Sequence, residues 1–143
     1  VIVFEVDGVP VGQGVLRRNR YGATYEATKG HGAWRKAVIA AVQAEYEDSE
    51  PMMTGPIGVT VLFTFPHPKA HRTGTGRPSA AWRTYMRSKP DLDHLIRSIG
   101  DAIAIAGVIK DDSQIVHWDA LKVYGDEACA RVVIRHMDEG QAA

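Results

Sequence analysis

One stretch, Lys89 to Val116, constrains the fold more than any other: KPDLDHLIRSIGDAIAIAGVIKDDSQIV. Leu92, Leu95, Ile96, Ile99, Ile103 and Ala106 recur at i, i+3, i+4 and i+7 spacing, which predicts a helix with a single buried stripe. Such a stripe has to be covered by a second layer of structure. Asp91, after Pro90, sits at the N-cap position, and Gly107 is placed to stop the helix. Both flanks are acidic, with Asp91 and Asp93 at the start and Asp111 and Asp112 beyond the end.

Around this helix the chain reads in order. Val1 to Val6 is β-rich and predicts a strand, and Gly8 to Gly14 predicts a loop. The basic stretch up to Lys29 reads as irregular. From His31 to about Glu47, Trp34, Val38, Ala41, Val42 and Tyr46 mark one apolar helical face, and the acidic run Glu45 to Glu50 with Pro51 ends it. Ile57 to Phe65, IGVTVLFTF, is the clearest strand, and Pro66 and Pro68 stop it. His67 to Ser88 predicts a long basic loop with a short helix at Ala80 to Met86. Gln114 to Tyr124 and Ala130 to Met137 read as two strands of a hairpin turned at Gly125-Asp126, and Asp138 to Ala143 as a frayed tail. The order β-α-β-α-β-β predicts an α+β fold, a single compact domain over 1–143, with helices packed against a mixed sheet.

Charge narrows the function. The 17 basic and 17 acidic residues cancel, but they are segregated. Between Val15 and Lys36 lie Arg17, Arg18, Arg20, Lys29, Arg35 and Lys36 against the single acid Glu26. Between His67 and Lys89 lie Lys69, Arg72, Arg77, Arg83, Arg87 and Lys89 with no acid at all. Two basic windows beside acidic helix ends suit a polyanion gripped next to a cation site, although solvated basic loops would give the same pattern. Trp82 and Tyr85 interleave with Arg83 and Arg87, which suits stacking and phosphate contacts to nucleic acid and equally suits a small local cluster that packs the loop down. No apolar run is long enough to span a membrane, and VIVFEVDG carries no basic residue ahead of its apolar run, unlike a secretory leader. The lone Cys129 excludes an intrachain disulfide and fits a cytoplasmic setting. His67 and His71 are four apart, but Pro68 opposes a helix there and no third ligand follows at zinc spacing.

The residues alone leave two readings of the acidic constellation open. Asp91 as an N-cap, Asp93 as a helix-dipole partner and Asp111-Asp112 as a turn account for all four. Alternatively, carboxylates gathered without enough counter-charge repel one another, and a divalent cation with oxygen ligands, Mg²⁺ or Mn²⁺, relieves the repulsion. A helix of about 15 residues is about 22 Å long. The chain must therefore fold back along it before Asp112 can meet Asp91 and Asp93.

The ordered set D-x-D-x-L at Asp91–Leu95, D-A at Asp101–Ala102, D-D-x-Q-[IV]-V at Asp111–Val116 and a basic Lys122 in the following strand resembles the RusA-type Holliday-junction resolvases. The likeness is strongest over Lys89–Lys122 and extends more loosely along nearly the whole chain. It implies a Mg²⁺-dependent homodimer, often of phage origin, that resolves four-way DNA junctions by paired symmetric nicks. It also implies no membrane attachment and no small-molecule cofactor. Asp91, Asp93 and Asp112 are then the catalytic metal-binding carboxylates, with Asp111 as a neighbour at the metal. Arg17, Arg18, Arg20, Lys69, Arg72, Arg77, Arg83, Arg87, Lys89 and Lys122 are then the residues that hold DNA.

Two departures stand out. His94 occupies the position that is commonly Asn in the family, and Arg97 occupies the catalytic lysine position four residues after the second Asp. Arg97 can neutralise phosphate charge but cannot act as a general base. A non-catalytic branched-DNA-binding protein of the same fold is the competing reading. A small-molecule phosphohydrolase is a third, for which the two basic windows are larger than needed.

Overall fold

The computed structural model describes residues 1–14, 16–26, 28–46 and 50–140. The acidic run at 47–49, the first residue of the first basic window and the tail at 141–143 lie outside the described residues. The fold is α+β, as the sequence order predicts, with one mixed sheet and two helices.

The strand IGVTVLFTFP forms β4 (Ile57–Pro66) and sits inside the sheet. Its period-2 pattern puts Ile57, Val59, Val61, Phe63 and Phe65 on the buried face. Both edges of β4 are paired. β6 (Cys129–His136) runs antiparallel on one side, with β1 (Ile2–Asp7) antiparallel beyond it. β5 (Ile115–Gly125) runs parallel on the other side, giving the order β1-β6-β4-β5. This corrects the expected hairpin: β5 and β6 are consecutive in sequence, but β4 lies between them. The most apolar strand gains most from two neighbours, and the residues between Gly125 and Cys129 reach across its end to let both flank it.

Both helices cover the buried face of the sheet. α1 (His31–Glu45) buries Trp34, Val38 and Val42 and packs on β1 and on α2 (Leu92–Ile105). The chain is already extended at Tyr46, whose ring is buried. In α2, Leu95, Ile99 and Ile103 are fully buried, while Leu92, Ile96 and Ala106 pack at the margin of the core. A Cβ on Gly100 would meet the Trp118 ring at 3.3 Å, so this glycine lets α2 lie close on β5. Gly107 stops the helix at φ 84°, a conformation that suits a residue without Cβ.

Two loop expectations need correction. The basic stretch after Gly14 is not irregular throughout, since β2 (Leu16–Arg18) and β3 (Thr24–Glu26) pair antiparallel as a small separate hairpin. Nor do Ala80 to Met86 form a helix. The long loop has a 3₁₀ turn at Lys69–His71 and then runs along the free edge of β5, where the Met86 N–H donates to Lys122 O and the Tyr124 N–H to Thr84 O. The unpaired edge of a parallel strand offers backbone groups, and the loop satisfies them.

A candidate metal centre at the start of the second helix

The loop reaches α2 as an anchored segment. His67 stacks on Trp82 with ring centroids 3.9 Å apart, and His71 meets the edge of Tyr124 at 4.7 Å. The His67 and His71 Nδ1 atoms lie 2.8 Å apart. Arg72 pairs with Asp126 at 2.7 Å and lies over the Trp82 ring. Further on, Lys122 Nζ donates to both Ser88 O and Pro90 O at 2.8 Å. These two carbonyls bracket Lys89 and immediately precede Asp91, so β5 fixes the entry to α2.

Asp91 is the N-cap residue by backbone position, yet its side chain makes no capping hydrogen bond. Its Oδ2 instead accepts from Lys89 Nζ at 3.0 Å. This hydrogen bond holds the carboxyl below the usual aspartate range, against the opposing effect of burial, with the charges of Lys89, His94 and Lys122 adding to it. Asp93, in the first turn, is exposed. Asp91, Asp93 and His94 each offer one donor atom, and these atoms lie within 4.8 Å of one another. A divalent cation fits this donor set. Two of the three donors are carboxylates, and neither is consumed by capping the helix. The dipole of α2 opposes a cation at this end, so the carboxylates must outweigh it.

Asp112 stands elsewhere. It opens a 3₁₀ turn at Asp112–Gln114, and its carboxyl contacts Asp111 and Asp101. It is not among the mutually close donors at the start of α2. The hydrogen bond with Asp111 comes first in raising its pKa above the ordinary value, followed by burial and by the charge of Asp101. Asp111 caps the turn: its Oδ1 accepts the Ser113 N–H at 2.8 Å, which lowers its own pKa. Gln114 completes a capping box and reaches Met53 O and Gly55 O. β5 does return along α2, but it brings Lys122 to Asp91, whereas Asp112 stays beside Asp101, nearly three turns further along the helix.

Asp101 makes no ion pair with Arg97 among the described residues; it accepts from Gln13 Nε2 instead. Gln13 Oε1 in turn faces buried His31 at 3.1 Å and accepts from Arg35 at 3.2 Å. Arg97 is exposed, one turn after Asp93. Among the other basic residues, Arg17 and Arg18 lie exposed on β2, and Arg20 stacks over Tyr21. Lys69, Arg77, Arg83, Arg87 and Lys89 are exposed along the loop. Arg72 and Lys122 are committed to internal partners.

Sequence reasoning missed Lys122 as a support for the site, and it missed the Gln13 hub entirely. A signal existed for the first. Trp118, Ala120, Lys122 and Tyr124 alternate onto the core side of β5, and a lysine there needs partners. For Gln13 the only sign was its place between two glycines.

This arrangement, a mixed sheet carrying acidic side chains at a helix start beside basic loops, has a known family. Residues 7–135 match the model of the RusA endodeoxyribonuclease family, and the chain belongs to that family. The chain is also similar to the uncharacterized protein YqaN of Bacillus subtilis (strain 168). The two are 30% identical over 139 residues, covering 95% of this chain and 96% of the relative. Membership supports an endodeoxyribonuclease of the Holliday-junction-resolving kind in general.

Proposed function

We propose that this chain is a single endonuclease domain over residues 1–143 that resolves four-way DNA junctions with a divalent cation, Mg²⁺ or in its place Mn²⁺. The observation that carries the reading is the convergence of Asp91, Asp93 and His94 at the start of α2 in a chain of the RusA family. Asp91 and Asp93 would hold a divalent cation there, and when bound it would supply Lewis-acid polarisation of a phosphate and a more acidic water. Lys89, beside Asp91, and Arg97, one turn after Asp93, offer positive charge to the phosphate oxygens. Arg97 stays protonated and so does not accept the proton of the nucleophile. Asp112 lies next to Asp101 and serves the site from its far side, with Asp111 fixing its turn.

The exposed arginines and lysines of β2 and of the loop hold the junction arms through phosphates. A homodimer with two-fold symmetry presents two such sites to the two equivalent phosphates of a junction and gives paired nicks. The setting is the cytoplasm of a bacterial host or a phage-infected cell, and among the described residues no helix is long and apolar enough to cross a membrane.

The test is cleavage of synthetic four-way junctions with Mg²⁺, with Mn²⁺ and with chelator, comparing the wild type with Asp93→Asn and Asp112→Asn. Metal-dependent paired nicking, lost in both variants while junction binding persists, is expected. Junction binding by the wild type without nicking under any of these conditions would make the protein a branched-DNA binder instead. Nicking by Asp112→Asn at the wild-type rate would remove that residue from the mechanism.

A further inference from the structure

We infer that His94 is itself a ligand of the cation, through Nε2, and that its imidazole shifts the centre's preference from Mg²⁺ toward Mn²⁺. This rests on the metal-centre reading above and adds to it the identity of the third donor. Two ligands each about 2.1 Å from one ion lie roughly 3–4 Å apart. His94 Nε2 and Asp93 Oδ2 are 3.9 Å apart, too far for a strong ion pair and suited to a shared cation.

The imidazole also occupies a built position. The Gln13 N–H donates to His94 O at 2.9 Å, which lays the Gly12–Gly14 segment over the residue. A Cβ on Gly14 would meet His94 Nε2 at 2.8 Å and two ring carbons at 2.9 Å. A Cβ on Gly12 would meet His94 Cβ at 2.9 Å. The two glycines therefore form a cradle that side chains would fill. Gln13, between them, is tied to Asp101, His31 and Arg35, so the cradle is fixed to both helices. Held there, His94 places a nitrogen among the donors at the start of α2.

The chemistry of that nitrogen gives the selectivity. Mg²⁺ prefers oxygen ligands and keeps its waters, so an imidazole adds little to its binding. Mn²⁺ accepts imidazole nitrogen more readily, and two carboxylates with one imidazole suit it better than they suit Mg²⁺.

The experiment uses the full, untagged chain loaded with Mn²⁺ in the absence of DNA. Pulsed electron paramagnetic resonance reads directly bound ¹⁴N, and calorimetry reads Mn²⁺ and Mg²⁺ affinities. The wild type is expected to show imidazole ¹⁴N coupling. His94→Asn is expected to lose it, with Mn²⁺ affinity falling roughly tenfold or more and Mg²⁺ affinity changing little. Gly14→Ala retains the imidazole but displaces it, so its coupling is expected to weaken, and thermal melts check that each variant folds. Mn²⁺ bound in an Asp93-dependent way without ¹⁴N coupling would overturn His94 ligation and leave the metal centre standing. Absence of Asp93-dependent Mn²⁺ binding would overturn the metal centre itself.

Discussion

Lys122→Met separates a supporting role from a DNA contact. The ammonium makes two hydrogen bonds of 2.8 Å to Ser88 O and Pro90 O, and the residue is half-buried on the core side of β5. Methionine keeps most of the aliphatic stem and deletes both bonds. A hydrogen bond from a charged donor contributes about 1.5–3 kcal/mol when shielded and less where water competes. One of the two carbonyls is exposed, so the expected loss of stability is about 2 kcal/mol for the pair. For a chain of this size that lowers the melting temperature by roughly 6 °C. The released segment carries Lys89 and leads directly into Asp91, so Mn²⁺ or Mg²⁺ affinity should fall about 10-fold or more, as for other groups that orient a metal ligand. Urea unfolding and metal titration by calorimetry, both without DNA, measure the two effects. Unchanged stability and metal affinity, together with a salt dependence of junction binding reduced by about one phosphate contact, would refute the supporting role and make Lys122 a DNA ligand.

Three other outcomes follow from the same geometry. The Asp112 carboxyl is held above its ordinary pKa, so at this group the native state holds a proton that the unfolded state has lost, and its contribution to stability falls as pH rises through that window. Metal-free Asp112→Asn should therefore melt higher than wild type near neutral pH and lose that advantage below the ordinary carboxylate range; parallel melting curves from about pH 3 to pH 8 would contradict this. Ile99→Ala, at a fully buried position of α2, should cost about 2–5 kcal/mol in urea unfolding, and a cost near zero would mean that α2 is not packed as described. Replacing Arg17 and Arg18 together by Ala should lower the slope of log affinity against log salt for junction binding by about one unit per lost phosphate contact while leaving metal affinity unchanged; an unaltered slope would take β2 out of the DNA interface.

Much of the fold was legible because it rests on local periodicity. The 3.6-residue recurrence from Leu92 to Ala106 marked α2 and its buried face, and β-branched alternation marked β4. Gly107 and the Pro residues marked the ends of elements. The strand order was not legible. The short Gly125–Cys129 connection suggested a hairpin, whereas pairing depends on which strand each edge buries most against, a property of the whole sheet. The loop 67–90 was legible as basic, with Trp82 and Tyr85 readable as nucleic-acid contacts or as a cluster packing the loop down, but its partners were not, because the stacking of His67 on Trp82 and the bonds to β5 link residues far apart in the chain.

By itself the sequence determined the acidic residues and their spacing, since composition and order along one helix are local facts. Only the tertiary structure decided their company. It set Asp91 and Asp93 together with His94, and it set Asp112 beside Asp101. It also turned Lys122 inward to hold the entry of α2 and wrapped Gly12–Gly14 over an imidazole. The physical reason is reach. A helix fixes its own side chains within a turn or two, but a site that draws on a loop, a helix and a returning strand is placed by the packing of all three.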